Sequence, residues 1–359
     1  MSGIHQTLVA AAPGDAITNS AFEIRRLLRE AGPSEIYARH IHGDLCGDVK
    51  PLHEHPAHGR SQPGQLTIVH PSNGDAEWLE WVLGLDGRFI LSYHNFTPSH
   101  FFRVWDRPTA DRLEFGRRTL GMFADRTVLA FADSAFNAID LRDAGYANVV
   151  VGGLLIDTSG LSRTSPDVGV LTEAMRFPGP TIVHIGQLYP HKRADFAIVA
   201  FHRLLRTGHP DARLVLAGAS RLPAFRKSLE QLVVDLELTD RVVITGRITP
   251  AAMSAYLRSA DVMVTASEHE GFCVPLIEAM TLGVPVVGRR FGAVPETAGD
   301  AAILLEPDAP PSAMAAALAA VLDDRAAADE LRELGYRRAA DFTLDRLREQ
   351  FLDALVDAC

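Results

Sequence analysis

Cysteine is scarce in this chain: Cys46, Cys273 and Cys359 are the only three in 359 residues. Scattered thiols make no disulfide framework, which fits a reducing cytoplasm. No apolar run reaches the roughly 18 to 20 residues that cross a bilayer, so at most a peripheral membrane contact is expected. The opening MSGIHQTLVAAAPGD has no basic leader before its apolar stretch, and no secretory signal is expected. Positive charge is also in deficit. A net charge of −10 weighs against a nucleic-acid or anionic-membrane surface, although a small cationic pocket needs only a few amides and one or two lysines. There is no Asp-x-Asp pattern, no internal repeat and no low-complexity tract. A G-x-G-x-x-G fingerprint follows the first strand of neither half; LVAAAPGDA has one glycine where three are wanted, which argues against a dinucleotide oxidoreductase.

What remains is an ordinary globular composition, 47% apolar and 22% charged, long enough for two domains. Short β-rich runs at 4–12, 35–41, 66–70, 88–93 and 127–132 predict strands, with helices over 18–31, 109–124 and 135–144, the last capped by Ser134. The scheme repeats with strands at 181–185, 213–217, 241–245, 261–265 and 284–287 and helices at 194–207, 223–236, 250–258 and 275–282. Such alternation predicts parallel sheets with crossover helices, an α/β fold of two Rossmann-like halves. The polar stretch 156–180 reads as the seam, giving domains of 1–160 and 161–342. A last helix, 343–359, carries Leu344, Leu347, Phe351 and Leu355 on one face and is expected to pack back on the first domain.

The densest chemistry lies in SEHEGFCVPLIEAMTLGVPVVG, residues 267–288. Pro275 suits a first helical position and Gly283 the residue past the end, so 275–282 reads as a short helix with 271–274 as its approach. The N–H groups of Phe272, Cys273 and Val274 then lack helical partners at the positive end of the dipole, an arrangement suited to an anion. An acid beside a phosphate would repel it, so Glu278 is better placed to accept from neutral hydroxyls such as those of a ribose. Glu270, just before the loop, reaches hydroxyls elsewhere on the same ligand. A phosphate flanked by two hydroxylated groups describes a nucleotide-sugar. The bland alternative is one solvent-facing acid and one acid near a helix cap.

This stretch resembles the E-x7-E signature of the family 4 retaining glycosyltransferases. TIVHIGQLYPHKRADFAIVAF (181–201), RVVITGRITPAAMSAYLRSADVMVTASEHEGF (241–272) and GVPVVGRRFGAVPE (283–296) resemble the surrounding segments, and YHNFTPSHFF (93–102) and VLAFADSAFNAIDLRDAGY (128–146) do so more loosely. The resemblance implies the GT-B fold, two Rossmann-like domains facing each other across a cleft, the first binding the acceptor and the second the donor. It implies a nucleotide-diphosphate sugar donor (UDP- or GDP-linked) and a hydroxyl-bearing glycan, lipid-linked or small-molecule acceptor; no cofactor is expected, and the lack of an Asp-x-Asp pattern predicts turnover without a metal. Glu278 would bind the ribose and Glu270 the transferred sugar, with the amides of Gly271, Phe272, Cys273 and Val274 on the sugar and diphosphate. Lys192 would neutralise the leaving diphosphate, and His94 would meet the donor sugar near its anomeric carbon. The Gly14-Asp15-Ala16 turn would face the diphosphate. Gly186, Gln187, Arg193, Gly246 and Arg247 complete the expected donor-binding set. Gln187 departs from the family's usual arginine and brings a hydrogen bond without charge.

Other readings compete. His53, His55 and His58, with Cys46 nearby, invite a zinc site, but their spacing fits no standard one and a polar loop is the better home. His70 ends another strand and reads as structural. Cys273 lies beside a helix N-terminus, where a thiol's pKa can fall, yet no histidine is placed by sequence to activate it. A nucleotide-sugar epimerase of the same fold, or a non-catalytic nucleotide-sugar binder, stays open; a phosphorylase is disfavoured because no pyridoxal-binding lysine motif is evident.

Overall fold

The computed structural model describes residues 3–57 and 65–358; His58 lies outside them. The chain forms two units. One comprises Met1–Arg103, Arg107–Asp157 and Leu344–Cys359, the other Val104–Asp106 and Thr158–Thr343.

The first unit runs β1 (His5–Ala11), α1 (Ala16–Leu28), β2 (Ile36–Ile41), β3 (Lys50–Pro51), β4 (Leu66–His70), α2 (Ala76–Leu83), β5 (Arg88–Tyr93), α3 (Arg107–Thr119), β6 (Thr127–Ala132), α4 (Ala135–Asp143) and β7 (Val149–Val151). Its seven strands are all parallel, in the order β3-β2-β1-β4-β5-β6-β7. Helices cover such a sheet on both faces, which is why the central strands are almost wholly buried. The helix starts are chemically marked. The side chains of Asp15, Asp75 and Ser134 accept from the N–H groups of Thr18, Trp78 and Asn137, meeting donors that a first helical turn leaves open.

The second unit contains α5 (Gly160–Arg163), α6 (Val168–Arg176), β8 (Thr181–Ile185), α7 (Ala194–Thr207), β9 (Arg213–Ala217), α8 (Pro223–Asp235), β10 (Val242–Gly246), α9 (Pro250–Arg258), β11 (Val262–Thr265), α10 (Val274–Thr281), β12 (Val286–Arg289), α11 (Val294–Ala298), β13 (Ala302–Leu305), α12 (Pro311–Asp323) and α13 (Arg325–Ala339). Its six-stranded parallel sheet has the order β10-β9-β8-β11-β12-β13. Chain order reverses between β8 and β11, the switch point beyond whose strand ends open α/β sheets receive ligands.

The final helix, α14 (Leu344–Ala358), belongs to the first unit. Leu347, Phe351 and Leu355 join a core with Ile24, Leu27, Ile68, Ile90, Leu129 and Phe131. The rings of Phe131 and Phe351 stack with centroids 4.6 Å apart, and Arg348 donates to Glu23 at 2.9 Å.

Where the structure departs from expectation, the reasons are local. The stretch 156–180, read as the seam, also holds two short helices that were not predicted, α5 and α6, Asp167 capping α6 by accepting from Val170 N–H. Helix α10 begins one residue earlier than Pro275 suggests. Cys273 takes a left-handed conformation (φ 76°) and serves as N-cap, so the proline falls within the first turn and Gly283 (φ 69°) follows the last.

Candidate functional site

At the second unit's switch point, the loops leaving β8 and β11 meet, Glu268 N–H donating to the His191 carbonyl at 2.8 Å. The first loop carries Gly186, the exposed Gln187 and a 3-10 turn over Pro190–Lys192; the second carries residues 266–273. Between them, Lys192 Nζ donates to both carboxylate oxygens of Glu270, at 2.7 and 2.6 Å. Burial works against the ammonium, but the Glu270 charge, the nearby Cys273 and the hydrogen bond to Glu270 together outweigh it and hold the Lys192 pKa above its ordinary value. Ser267, which the sequence did not single out, donates its hydroxyl to Glu270 Oε1 at 2.6 Å. The Glu270 main chain is fixed too. Its carbonyl accepts from Ala293 N–H at 2.9 Å, and a Cβ on Gly292 (φ +55°) would lie 2.4 Å from that oxygen.

Following Glu270, the approach to α10 leaves donors open. Among the described residues, the N–H groups of Phe272, Cys273 and Val274 have no protein acceptor. The Phe272 carbonyl, by contrast, accepts from the Thr297 hydroxyl at 2.5 Å, which pins the turn. Glu278 lies one turn into α10, its carboxyl without a hydrogen bond or ion pair among the described residues. Burial without compensation pushes its pKa from 4.5 up to about 7. Two acids eight residues apart therefore differ sharply: one is neutralised by a lysine, the other has no partner. Cys273 behaves unlike a thiol activated by a helix end. Burial, then the nearby Glu270 charge, pushes its pKa up, which corrects the expectation drawn from its position alone.

Arg193, left-handed at φ 50°, caps α7 and pairs with Asp195 at 3.0 Å and with Glu268. Arg289 donates to the same Glu268 oxygen at 3.2 Å. His191 is held well below its ordinary pKa by burial and then by the charges of Lys192 and His269. In the loop that carries Gln187, then, one cation is already paired with carboxylates and one imidazole is kept neutral. Gly186 and Gly246 frame this end of the sheet. Gly246 bridges Gly218, on which a Cβ would fall 1.8 Å from the Gly186 carbonyl oxygen, so the ends of β8, β9 and β10 close up tightly. Arg247 follows, exposed, after the edge strand β10.

In the first unit, Gly14 (φ 73°) turns the chain between β1 and α1, Asp15 caps the helix and Ala16 opens it. His94 follows β5, its side chain only 3% exposed. Its Nδ1 lies 2.9 Å from Asp133 Oδ2 and its Nε2 3.1 Å from His70 Nδ1. Asp133 was not a sequence candidate, although it directly follows β6 and precedes the Ser134 cap. The histidine loop has separate duties. His55 is buried in ring contact with Tyr37 at 4.8 Å and His5 at 5.5 Å, while His53 and Cys46 are exposed. Among the described residues, no group of three or more His, Cys, Asp and Glu is placed to hold a metal ion.

Residues 173–338 match the family described as Glycosyl transferases group 1. A D-inositol 3-phosphate glycosyltransferase of Kineococcus radiotolerans is 28% identical over 338 residues, which cover 87% of this chain and 76% of that one. An N-acetyl-alpha-D-glucosaminyl L-malate synthase of Bacillus anthracis is 36% identical over 127 residues, 35% of this chain and 32% of that one. The solved structure of HepE from Anabaena, in complex with UDP and glucose, superposes with a TM-score of 0.78 at 16% identity, covering 99% of this chain and 100% of that one, a likeness of fold. Two parallel sheets of seven and six strands with crossover helices give the chain the GT-B fold, and its residues 173–338 carry the pattern of the group 1 glycosyltransferases.

Proposed function

We propose that the second unit binds a nucleoside-diphosphate sugar at its switch point and that the chain transfers the sugar, with retention at the anomeric carbon, to a hydroxyl acceptor bound by the first unit. One observation carries this reading. Among the described residues, three main-chain donors without acceptors lie between Glu270, which is matched to Lys192, and Glu278, which has no partner. The amides suit the diphosphate. An unpartnered carboxylate suits a vicinal diol, whose two hydroxyls donate to its two oxygens. In transfer, the bond from the anomeric carbon to the phosphate oxygen breaks as a bond to the acceptor oxygen forms on the same face. The acceptor's hydroxyl proton leaves on the departing diphosphate. Charge grows on the diphosphate oxygens, and fixed amides and a lysine that stays protonated stabilise it there at no cost in reorganisation. Lys192 has three donors, so Glu270 can orient it without exhausting it. No step calls for a metal or a cofactor.

HepE was solved with UDP-glucose, which makes UDP-glucose the first donor to try and GDP-mannose the second. The relatives' names make inositol 3-phosphate a first acceptor. Mass spectrometry of such mixtures, with a chelator present, should show a glycoside product and free nucleoside diphosphate. Epimerised donor without acceptor consumption would replace transfer by epimerisation, and tight UDP binding without turnover on a broad acceptor panel would leave only a binder.

A further inference from the structure

Four first-unit side chains form an unbroken line: Gln6, His70, His94 and Asp133. Gln6 Nε2 donates to the Ala21 carbonyl at 2.9 Å, which fixes the amide's orientation and turns Oε1 toward His70 Nε2 at 3.0 Å. An amide oxygen only accepts, so a proton must sit on His70 Nε2. At the next contact two ring nitrogens face one another at 3.1 Å. The ring centroids are 5.4 Å apart and the planes differ by 7°. Two nearly parallel rings at that centroid distance bring nitrogens so close only when they lie edge to edge in one plane, the geometry of an N–H···N bond. At the last contact His94 Nδ1 meets Asp133 Oδ2 at 2.9 Å. The Ser92 hydroxyl, 3.3 Å from His94 Nε2, is the remaining polar neighbour of that nitrogen.

Each of the three contacts needs one proton, whichever side holds it. Two neutral imidazoles and a carboxylate bring only two. We infer that the line retains a third proton at neutral pH, carried as a His94 imidazolium against the Asp133 carboxylate with His70 neutral, so that Asp133 and His70 are positioning residues for His94. The placement follows from where the charges lie. Asp133 adjoins His94, while the far side of His70 meets an uncharged amide. The four side chains then sum to zero charge, as they also do with the proton on Asp133, whose pKa burial raises and the His94 charge and hydrogen bond lower; the two placements differ in whether the His94 ring carries two N–H groups or one. Burial also keeps His70 well below its ordinary pKa, the neighbouring His94 charge adding to the effect.

On the transfer reading above, on which the role of His94 rests, both ring nitrogens are occupied by donation. His94 therefore takes no proton from the acceptor and serves as a fixed cationic group whose orientation Asp133 and His70 set. The test uses the full chain labelled with nitrogen-15 at histidine, with His94→Gln to assign the ring. At pH 7.5 the His94 ring should show two one-bond N–H couplings, and Asp133→Asn should leave it one. A single coupling in the wild type, or two surviving in folded D133N, overturns the inference. Should D133N not fold, the wild-type spectrum decides alone. No sugar donor is needed, so the outcome is separable from that of the transfer reading: His94 can prove doubly protonated in a chain that transfers nothing, and the reverse.

Discussion

Replacing Glu278 by glutamine should raise stability and weaken nucleotide binding in the same protein. The side chain is half-buried, its carboxyl has no partner among the described residues, and burial raises its pKa from 4.5 to about 7. At 1.36 kcal/mol for each pH unit, that displacement amounts to about 3 kcal/mol against the ionised form. Between those two pH values the folded protein binds more protons than the unfolded chain, so this group's contribution to stability falls as pH rises through the window, and the full penalty stands above about pH 7. Glutamine does not titrate. At pH 8 the variant should melt above the wild type, by at most roughly 6 to 12 °C for a unit of this size, whereas at pH 5 most of the difference should vanish. Ribose hydroxyls donating to the ionised carboxylate make charge-assisted bonds that an amide oxygen cannot match. UDP should therefore bind Glu278→Gln roughly five- to tenfold more weakly at pH 8. In the wild type, affinity should climb from pH 6 to pH 8; in the variant that slope should be gone. Thermal melting with and without UDP at several pH values measures both effects. A variant less stable than wild type at pH 8, or one that binds UDP equally well, refutes the argument.

Other perturbations test separate parts of the site. Lys192→Ala should lower the transfer rate about 10²- to 10³-fold with UDP affinity less affected, and an unchanged rate would remove the leaving-group role. The same change strands the buried Glu270 carboxylate, so Lys192→Arg, which keeps the charge, is the control for folding. Gln187→Arg should tighten UDP binding roughly three- to tenfold at low salt; a neutral result in calorimetric titration would show that residue 187 does not meet the diphosphate. Phe351→Ala should cost about 3 to 5 kcal/mol in the first unit's core. Hydrogen exchange should then quicken in β4 to β6 and stay unchanged in β8 to β11, and equal loss in both would contradict a core confined to one unit.

Central elements were legible because their sequences leave few choices. TIVHI, RLVLA and LTIVH are short apolar runs between helical stretches, and each is a strand with the expected bounds. Helix α2 escaped notice although Asp75 caps it, and other elements that escaped lie at sheet edges or rest on tertiary packing. Lys50–Pro51 is two residues long, Val149–Val151 is three, and Ala302–Leu305 sits at the end of its sheet. Helices α12 and α13 are alanine-rich and carry little periodic contrast. At the site, Pro275 and Gly283 disclosed helix α10, and with it the open amides. That Glu270 is neutralised and Glu278 is not could not be read from eight residues of spacing, because Lys192 is 78 residues away and meets Glu270 only across the switch point. Asp133 stayed hidden for the same reason, lying 39 residues from the ring it holds.

Helix α14 has a consequence for biosynthesis. Ribosomes deliver this chain from its amino end, so Ile24, Ile68 and Phe131 emerge long before the Leu347, Phe351 and Leu355 that seal them. The second unit can complete itself while its predecessor still shows an oily seam to chaperones. The half that is made first is thus the half finished last, and a nascent chain arrested short of Leu344 should recruit holdases to its early portion alone.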